Sequence, residues 1–597
     1  GVPDDYEKLD RMGVSVKGAI VIARYGGSWR GIKPKVAAEH GAVGCLIYSD
    51  PKDDGYGPDE VFPAGPMRPK DGAQRGSVAD MPVYPGDPLT PGVGATKDAK
   101  RLALKDATTL TKIPVMPISY GDAQPLLAAM KGEVAPEEWR GALPITYRVG
   151  PGATKVHLKL AFNWDLKPLY DVIVKIPGAE QPDQWIVRGN HHDGWVNGAE
   201  DPVSGANALM EEARGLSELL KQGWKPKRTI IYCVWDGEEP GLLGSTEWVE
   251  THADELKQHT VVYINSDGND RGFLNAGGSH TLERFVNGVA KDVEDPEKKI
   301  TVWQRHHLKG IADADSDDSR KEARGRADWR IDALGSGSDF TPFLQHLGVA
   351  SLDLSYGGEG DSGIYHSIYD DFYWYTHFAD TDFVYGRALS QTIGTAVMRL
   401  ADADLLPYDF TALADTTHRY LDEVQKLLKT KQDEAAERNA ELDEGLFTAT
   451  ADPKKTSVAP PRKDLPPHLN FAPLQNAMDA LTRSADRYQK ALDKVSANGE
   501  LKISGDALKA LNVTLLQSER KLTSEEGLPR RPWFKHLIYA PGLYTGYGVK
   551  TLPGVREAIE IGKWQEADEQ IVKAGAVIDA EAKLVDSAAE QLEAAVK

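Results

Sequence analysis

Residues 184–206 read QWIVRGNHHDGWVNGAEDPVSGA. A β-type run ends in His191-His192-Asp193, and Asp201 follows ten residues after His191. Ser204 then stands as the cap of a helix through GANALMEEARGLSELLKQG, with Ala208, Leu209, Ala213, Leu216 and Leu220 on one face. The same alternation recurs outward from this stretch. DVIVKI precedes it; TIIYCVW runs into Asp236-Gly237-Glu238-Glu239, VVYINS into Asp267, and ASLDLSY has Tyr365-His366 beyond it. Strands alternating with helices predict a largely parallel sheet covered on both faces, with ligands beyond the carboxyl ends of its strands.

The flanks differ in texture. Residues 1–166 are rich in Gly and Pro, with short β-type runs (GAIVIARYG, GAVGCLIYSD, IPVMPISYG, LPITYRVG), a helix over 33–40 and a long exposed loop over 51–91. Residues 409–597 are helical in pattern over 412–446, 474–497, 505–524 and most of the tail after Pro553, broken by ADPKKTSVAPPRKDLPP. The simplest reading is a helical bundle. The expected organisation is therefore three domains: 1–166, 167–408 and 409–597.

Composition narrows the function classes. The chain has 597 residues, 70 Lys+Arg against 90 Asp+Glu and a net charge of −20, which argues against nucleic acid or an anionic membrane as the main partner. Two cysteines, Cys45 and Cys233, exclude a disulfide framework and a thiolate zinc cluster. No apolar stretch reaches the roughly 18 residues a membrane span needs. There is no G-x-S-x-G elbow and no H-E-x-x-H, and GSGSDF at 335–340 lacks the full dinucleotide pattern. The acidic run DADSDDSRKEAR at 313–324 has Asp318 where a calcium loop requires Gly, and reads as a solvated loop.

His191, Asp201, Glu239, Asp267 and His366 suit borderline divalent cations, zinc above all. Five ligands are too many for one catalytic zinc but suit two metals sharing a carboxylate, which can hold a hydroxide and polarise a carbonyl. Glu238 is then free as general base. Spacing alone leaves this reading level with a plainer one. A histidine after a strand is commonly structural and a Glu pair on a turn commonly solvated; His192, His306 and His307 are read in that way.

The stretches HHDGWVNGAEDPVSGA, VWDGEEPGLLGSTEWVE, YINSDGND, GSGSDFTPFLQHLGVAS and YHSIYD resemble the glutamate carboxypeptidase II / transferrin receptor family of di-zinc peptidases. VIARYGGSWRG, LIYSDP, QRGS and GDPLTPG are similar to its protease-associated apical domain, and GLPRRPWFKHLIYAPG to its helical dimerisation domain. The resemblance implies a zinc-exopeptidase-like mixed α/β sheet flanked by helices, a β-rich apical domain, a C-terminal helical bundle and a two-fold homodimer. It implies that an upstream segment of the protease domain precedes Gly1. It puts His191, Asp201 and Asp267 on one zinc, with Asp201 bridging to a second held by Glu239 and His366. Glu238 matches the general base, Asp193 the carboxylate that orients the ligand histidine, and Tyr365 an oxyanion donor.

On the substrate side the resemblance implies that Arg75, Tyr365 and Tyr547 grip a terminal carboxylate, with Arg148, Gly337, Ser338 and Asp353 also lining the site. Three positions depart from the family: Gly546 stands where a Lys reads a glutamate side chain, Arg148 where an Asn stands, and Asp353 and Ser355 where arginines favour acidic peptides. Glu247 and Glu250 match a structural calcium site. The expectation is a di-zinc carboxypeptidase for short peptides without a strict acidic preference. An aminopeptidase or dipeptidase of the same clan, and a non-catalytic receptor-like scaffold, stand as alternatives. One N-glycosylation sequon, at Asn512, and the unpaired cysteines favour a bacterial periplasmic or secreted setting.

Overall fold

The computed structural model describes the chain except Ala153, Asp361, Asn498, Gly499, Ser504, Val596 and Lys597. The N-terminal region builds a parallel sheet of β1 (Ile20–Arg24), β2 (Gly44–Tyr48) and β3 (Val115–Ile118), with helix Ile32–Glu39 joining the first two strands. The short strands β4 (Glu133–Val134) and β5 (Arg148–Val149) pair beside it. LPITYRVG gives only β5, because Tyr147 turns inward: its hydroxyl donates to Asp50 at 2.6 Å and accepts from the Leu143 amide at 2.9 Å. The 51–91 stretch is not the exposed loop expected. Met67, Arg68, Met81 and Tyr84 are buried, and the Arg68 guanidinium bonds Asp54 at 2.8 Å and the Tyr365 carbonyl at 3.0 Å.

The central sheet comprises β6 (Val172–Ile176), β7 (Gln181–His191), β8 (Arg228–Trp235), β9 (Thr260–Asn265), β10 (Gly272–Gly278) and β11 (Ser351–Gly358) in the order β10-β11-β9-β7-β8-β6. The four inner strands run parallel and the two edges antiparallel, so the sheet is mixed. Apolar β-branched and aromatic runs such as TIIYCVW fit strands flanked by neighbours on both sides. Cys45 and Cys233 are both free and buried, on β2 and β8. β10 carries three glycines and no expected strand, yet pairs along its whole length with β11.

Helix Gly205–Lys221 forms as expected, but Ser204 does not cap it. The Ser204 hydroxyl instead donates to the Glu200 carbonyl at 2.5 Å and accepts from the Asn269 amide at 2.7 Å, clamping the polar loop to the end of β9. The acidic run is not a loop either: Asp317–Gly325 is an exposed helix, capped by Ser316 and held by i,i+3 pairs such as Arg320–Asp317 at 2.9 Å.

The C-terminal region is built on helices Phe410–Asp443, Ala472–Val495 and Trp564–Ala595. Its apolar faces continue the core under the sheet without a break, from Ile186 and Val262 through Leu413, Leu481 and Ile578. A hairpin absent from the sequence reading, Tyr539–Gly542 with Gly546–Thr551, projects from this helical region. Asn512 is fully buried, receiving the Leu406 amide at 2.9 Å and donating to the Asp404 carbonyl at 2.7 Å, so its sequon is closed to a glycan in the folded protein. Among the described residues no helix is long and apolar enough to cross a membrane.

Where helices meet sheet, His280 is buried with Nε2 2.6 Å from the Tyr420 hydroxyl, and burial pushes its pKa down to about 4. The folded state therefore resists a proton that the unfolded chain accepts near pH 6.5. Stability from this group is intact above that value and is lost as pH falls toward 4, by about 2 kcal/mol at pH 5. Urea denaturation at pH 7 and pH 5 should show a smaller loss for His280→Gln than for wild type by that amount; equal losses would remove His280 as the cause.

Candidate metal and catalytic centre

The parallel strands bring their carboxyl ends into line: His191 pairs with Trp235, Gly189 with Asn265, and Asn265 with Asp353. The side chains that follow each end therefore converge. His191 Nε2 lies 3.3 Å from Asp201 Oδ1, 3.8 Å from Asp267 Oδ1 and 4.0 Å from Glu238 Oε2. His366 Nε2 lies 3.5 Å from Asp201 Oδ2 and 3.2 Å from Glu239 Oε2. Asp201 thus stands between the imidazoles with one oxygen toward each. One atom each from Asp201, Glu239 and His366 fall within 4.8 Å of one another.

Each group is aimed by its own local structure. After β8, Gly237 turns through φ +72° into the short helix Glu238–Gly241, whose first amides need acceptors. Asp193 supplies both: its Oδ1 accepts from Glu238 N at 3.0 Å and its Oδ2 from Glu239 N at 3.2 Å. The Asp193 carbonyl, 3.0 Å from His191 Nδ1, takes that ring N–H, and its carboxylate stands at 3.5 Å. With Nδ1 occupied, Nε2 faces the centre as a free lone pair. His366 sits in the left-handed region (φ +55°) and donates Nδ1 to the Arg75 carbonyl at 3.0 Å, while the Arg75 amide returns a bond to the His366 carbonyl at 2.8 Å. Asp370 accepts the amides of Glu200 at 2.7 Å and Asp201 at 3.2 Å, fixing the loop that carries Asp201. Asp267 receives Ser338 Oγ at 2.7 Å and Asn265 Nδ2 at 3.2 Å.

The charge balance is one-sided. Burial pushes the carboxyls of Glu238 and Asp339 well up, and burial with the neighbouring Asp201 pushes Glu239 up to about 9. Asp201 goes the other way: against burial, contacts with His191 and His366 hold it down. Asp201 Oδ1 and Glu239 Oε1 are buried without a hydrogen-bond donor. Carboxylates gathered out of water with bare oxygens aimed at a common space fit divalent cations. His191, Asp201 and Asp267 could hold one, and Asp201, Glu239 and His366 another.

The remaining expected residues fall unevenly. Tyr365 stacks on His366 with ring centroids 3.7 Å apart and is 37% exposed, opening toward solvent beside the centre. Tyr547 arrives on the hairpin strand Gly546–Thr551, and Gly337 (φ +117°) packs against its ring. Ser338 faces Asp267 rather than open space, and Asp353, receiving Asn265 Nδ2 at 3.1 Å, lies behind Asp267. Ser338 bonds the proposed ligand Asp267 directly, and Asp353 shares the Asn265 amide with it. Arg75 reaches the centre through its backbone while its side chain is exposed. Arg148 belongs to β5 and donates to the Gly132 carbonyl at 3.0 Å in the apical region, remote from the strand ends.

The guanidinium that does face the two tyrosines is that of Arg30, which the sequence reading did not single out. Arg30 is 5% exposed, donates Nε to the Ser77 carbonyl at 2.9 Å and Nη2 to the Tyr547 hydroxyl at 3.3 Å, and is held charged against burial by Tyr547 and Tyr365. The calcium reading of Glu247 and Glu250 finds no support. Glu247 accepts amides of Asp87 at 2.7 Å and Ala95 at 2.6 Å; Glu250 accepts Gly92 N at 2.9 Å and Trp533 Nε1 at 2.7 Å. Both Glu247 oxygens and Glu250 Oε1 are thus paired with N–H donors that clamp loops, while Glu250 Oε2 is buried without a donor.

Models of known families match three segments: the PA domain over 2–84, peptidase family M28 over 171–377, and the transferrin receptor-like dimerisation domain over 469–586. A probable glutamate carboxypeptidase of Arthroderma benhamiae is 35% identical over 98% of this chain and 75% of its own length. Another of Arabidopsis thaliana is 35% identical over 96% and 75%. An aminopeptidase of Mus musculus is 31% identical over 94% and 71%.

Two substitutions test how the centre is held. Asp193→Asn removes an acceptor from the Glu238 and Glu239 amides and should weaken zinc binding by about 10–100-fold in a chelator competition. A Cβ on Gly205 would lie 1.9 Å from the Asp267 carbonyl, so Gly205→Ala should displace Asp267 and lower zinc content with the helix signal in circular dichroism retained. Unchanged zinc in both variants would refute this account of the support.

Proposed function

The chain belongs to peptidase family M28, in the group that joins a PA domain and a transferrin receptor-like dimerisation domain to the peptidase, and from that premise we propose that it is a di-zinc carboxypeptidase releasing the C-terminal residue of short peptides. The observation that carries the choice of end is Arg30. An exopeptidase must recognise a charged terminus beside the scissile bond, and a buried guanidinium between two phenols suits a carboxylate through bidentate pairing. A site for a free amine would offer an anion there.

His191, Asp201, Glu239, Asp267 and His366 would hold the two ions, with Asp201 shared between them. Bound zinc supplies Lewis acidity that activates water and polarises the scissile carbonyl. Arg30 and Tyr547 hold the terminal carboxylate, which fixes the peptide so that its last amide bond lies over the centre. Glu238 takes a proton at its carboxylate from the attacking water and delivers it to the nitrogen of the leaving residue. Its burial keeps water from competing for that proton. Tyr365, held by its stack on His366, donates its hydroxyl to the oxygen of the developing tetrahedral centre. The match to a dimerisation domain supports two copies paired through the helical region.

Glu238→Gln should retain zinc yet lose turnover by about 10²–10⁴-fold, the range of general acid–base contributions; near-normal turnover would sink the mechanism. End preference is read separately with N-blocked and C-blocked dipeptides. The carboxypeptidase reading requires cleavage of the N-blocked series alone. Cleavage of the C-blocked series alone would establish the aminopeptidase reading favoured by the mouse relative's name.

A further inference from the structure

Arg30 and His366 belong to different regions of the fold, yet one short piece of backbone holds both. Across 74–77 three residues are each bonded to a different partner. The Tyr25 hydroxyl donates to the Gln74 carbonyl at 3.0 Å. Arg75 exchanges two bonds with His366: its amide donates to the His366 carbonyl at 2.8 Å, and its carbonyl takes Nδ1 at 3.0 Å. The Ser77 carbonyl takes Arg30 Nε at 2.9 Å. The carbonyls that hold the proposed metal ligand and the guanidinium are thus two residues apart, and their carbon atoms can be separated by no more than about 7 Å. The charge of Arg30 accordingly reaches the centre, where it bears on Glu239, His366, Tyr365 and Tyr547.

Gly76 stands between these two attachments. A Cβ there would lie 2.0 Å from Arg30 Nε, 2.3 Å from its Cζ and 2.7 Å from its Nη2. All three are guanidinium atoms, so the group rests directly on the backbone of residue 76. A side chain at 76 would displace the guanidinium first, because the far end of a long side chain changes rotamer more readily than packed backbone moves. The base of Arg30 is already fixed. Lys33 Nζ bonds the Gly26 and Ser28 carbonyls at 2.6 and 3.0 Å, and the Trp29 amide donates to the Thr545 carbonyl at 3.0 Å, which pins the loop on both sides. What remains to be set is where the guanidinium settles. Bidentate pairing with a carboxylate demands a defined plane and reach, and the bare backbone at 76 together with the Ser77 carbonyl supplies both.

We propose that Gly76 is a positioning residue for the reaction: it seats Arg30 on the same short strut that holds His366, and so fixes the distance between the carboxylate clamp and the metal centre. The inference rests on the carboxypeptidase reading for its place in the reaction. N-acetyl-alanyl-alanine is assayed on wild type, Gly76→Ala, Arg30→Ala and the double variant. Gly76→Ala should lower kcat/KM about 10–100-fold, mainly through KM, the loss expected when a charge-assisted bond to substrate is given up. Its zinc affinity in a chelator competition should match wild type, since Arg75 keeps both bonds to His366. In the Arg30→Ala background the same substitution should add less than about 2-fold, because it acts through the guanidinium. Calorimetric titration of the zinc-loaded protein with N-acetyl-alanine and its amide reads the clamp without turnover: wild type should prefer the carboxylate, and Gly76→Ala should lose that preference. An unchanged KM in Gly76→Ala would overturn the inference and leave the carboxypeptidase reading standing. So would a fully additive loss in the double variant, or a fall in zinc affinity matching the loss of activity. Cleavage of C-blocked peptides alone by wild type would overturn that reading, and the titration then decides whether Gly76 seats Arg30. If Gly76→Ala does not fold, as judged by circular dichroism, recovery of folding in the double variant supports the contact with Arg30, and failure of both overturns it.

Discussion

Like charges crowded out of water are the constraint on which this molecule turns. Asp201, Glu238, Glu239 and Asp267 share one space with two imidazoles, and Asp201 Oδ1 and Glu239 Oε1 have no donor. Such an arrangement is tolerable only where cations belong, and the surrounding structure is organised to keep it from relaxing. Three parallel strands set the spacing, Asp193 and Asp370 hold the turns by their amides, and the Trp235–Tyr263–Asn265 chain, with bonds of 3.0 and 2.8 Å, backs Asp267 from the core. The apical and helical regions then bring Arg30 and Tyr547 together.

The sheet and its strand-end residues were legible because they depend on local pattern. Apolar runs four to eight residues long ending in His, Asp or Glu state both the strand and the place its chemistry must sit, whatever the rest of the chain does. The edge strand Gly272–Gly278 was not legible, since its glycines carry no β signal and its pairing with β11 is decided by the neighbour. The hairpin carrying Tyr547 was hidden by a helical background, and Ser204 looked like a cap because sequence cannot show that its hydroxyl is taken by Glu200 and Asn269.

The substrate end was the least legible part. Arg75 and Arg30 stand in similar loops, and only the folded backbone shows that the first lends its carbonyl to His366 while the second turns its guanidinium inward. Arg148 and Asp353 were placed by correspondence along the chain, yet one lies in the apical region and the other behind a proposed ligand. Positions that grip a substrate come from separate loops whose approach is set by packing between domains, and no local period encodes that approach.

The Arg30–Tyr547 contact joins residues 517 apart in sequence. A chain emerging from the ribosome completes the sheet and its strand-end carboxylates long before the hairpin that carries Tyr547 is made. The contact proposed to receive the substrate carboxylate therefore exists only when nearly all of the chain is present, and it ties the first loops of the apical region to the last hairpin of the helical one.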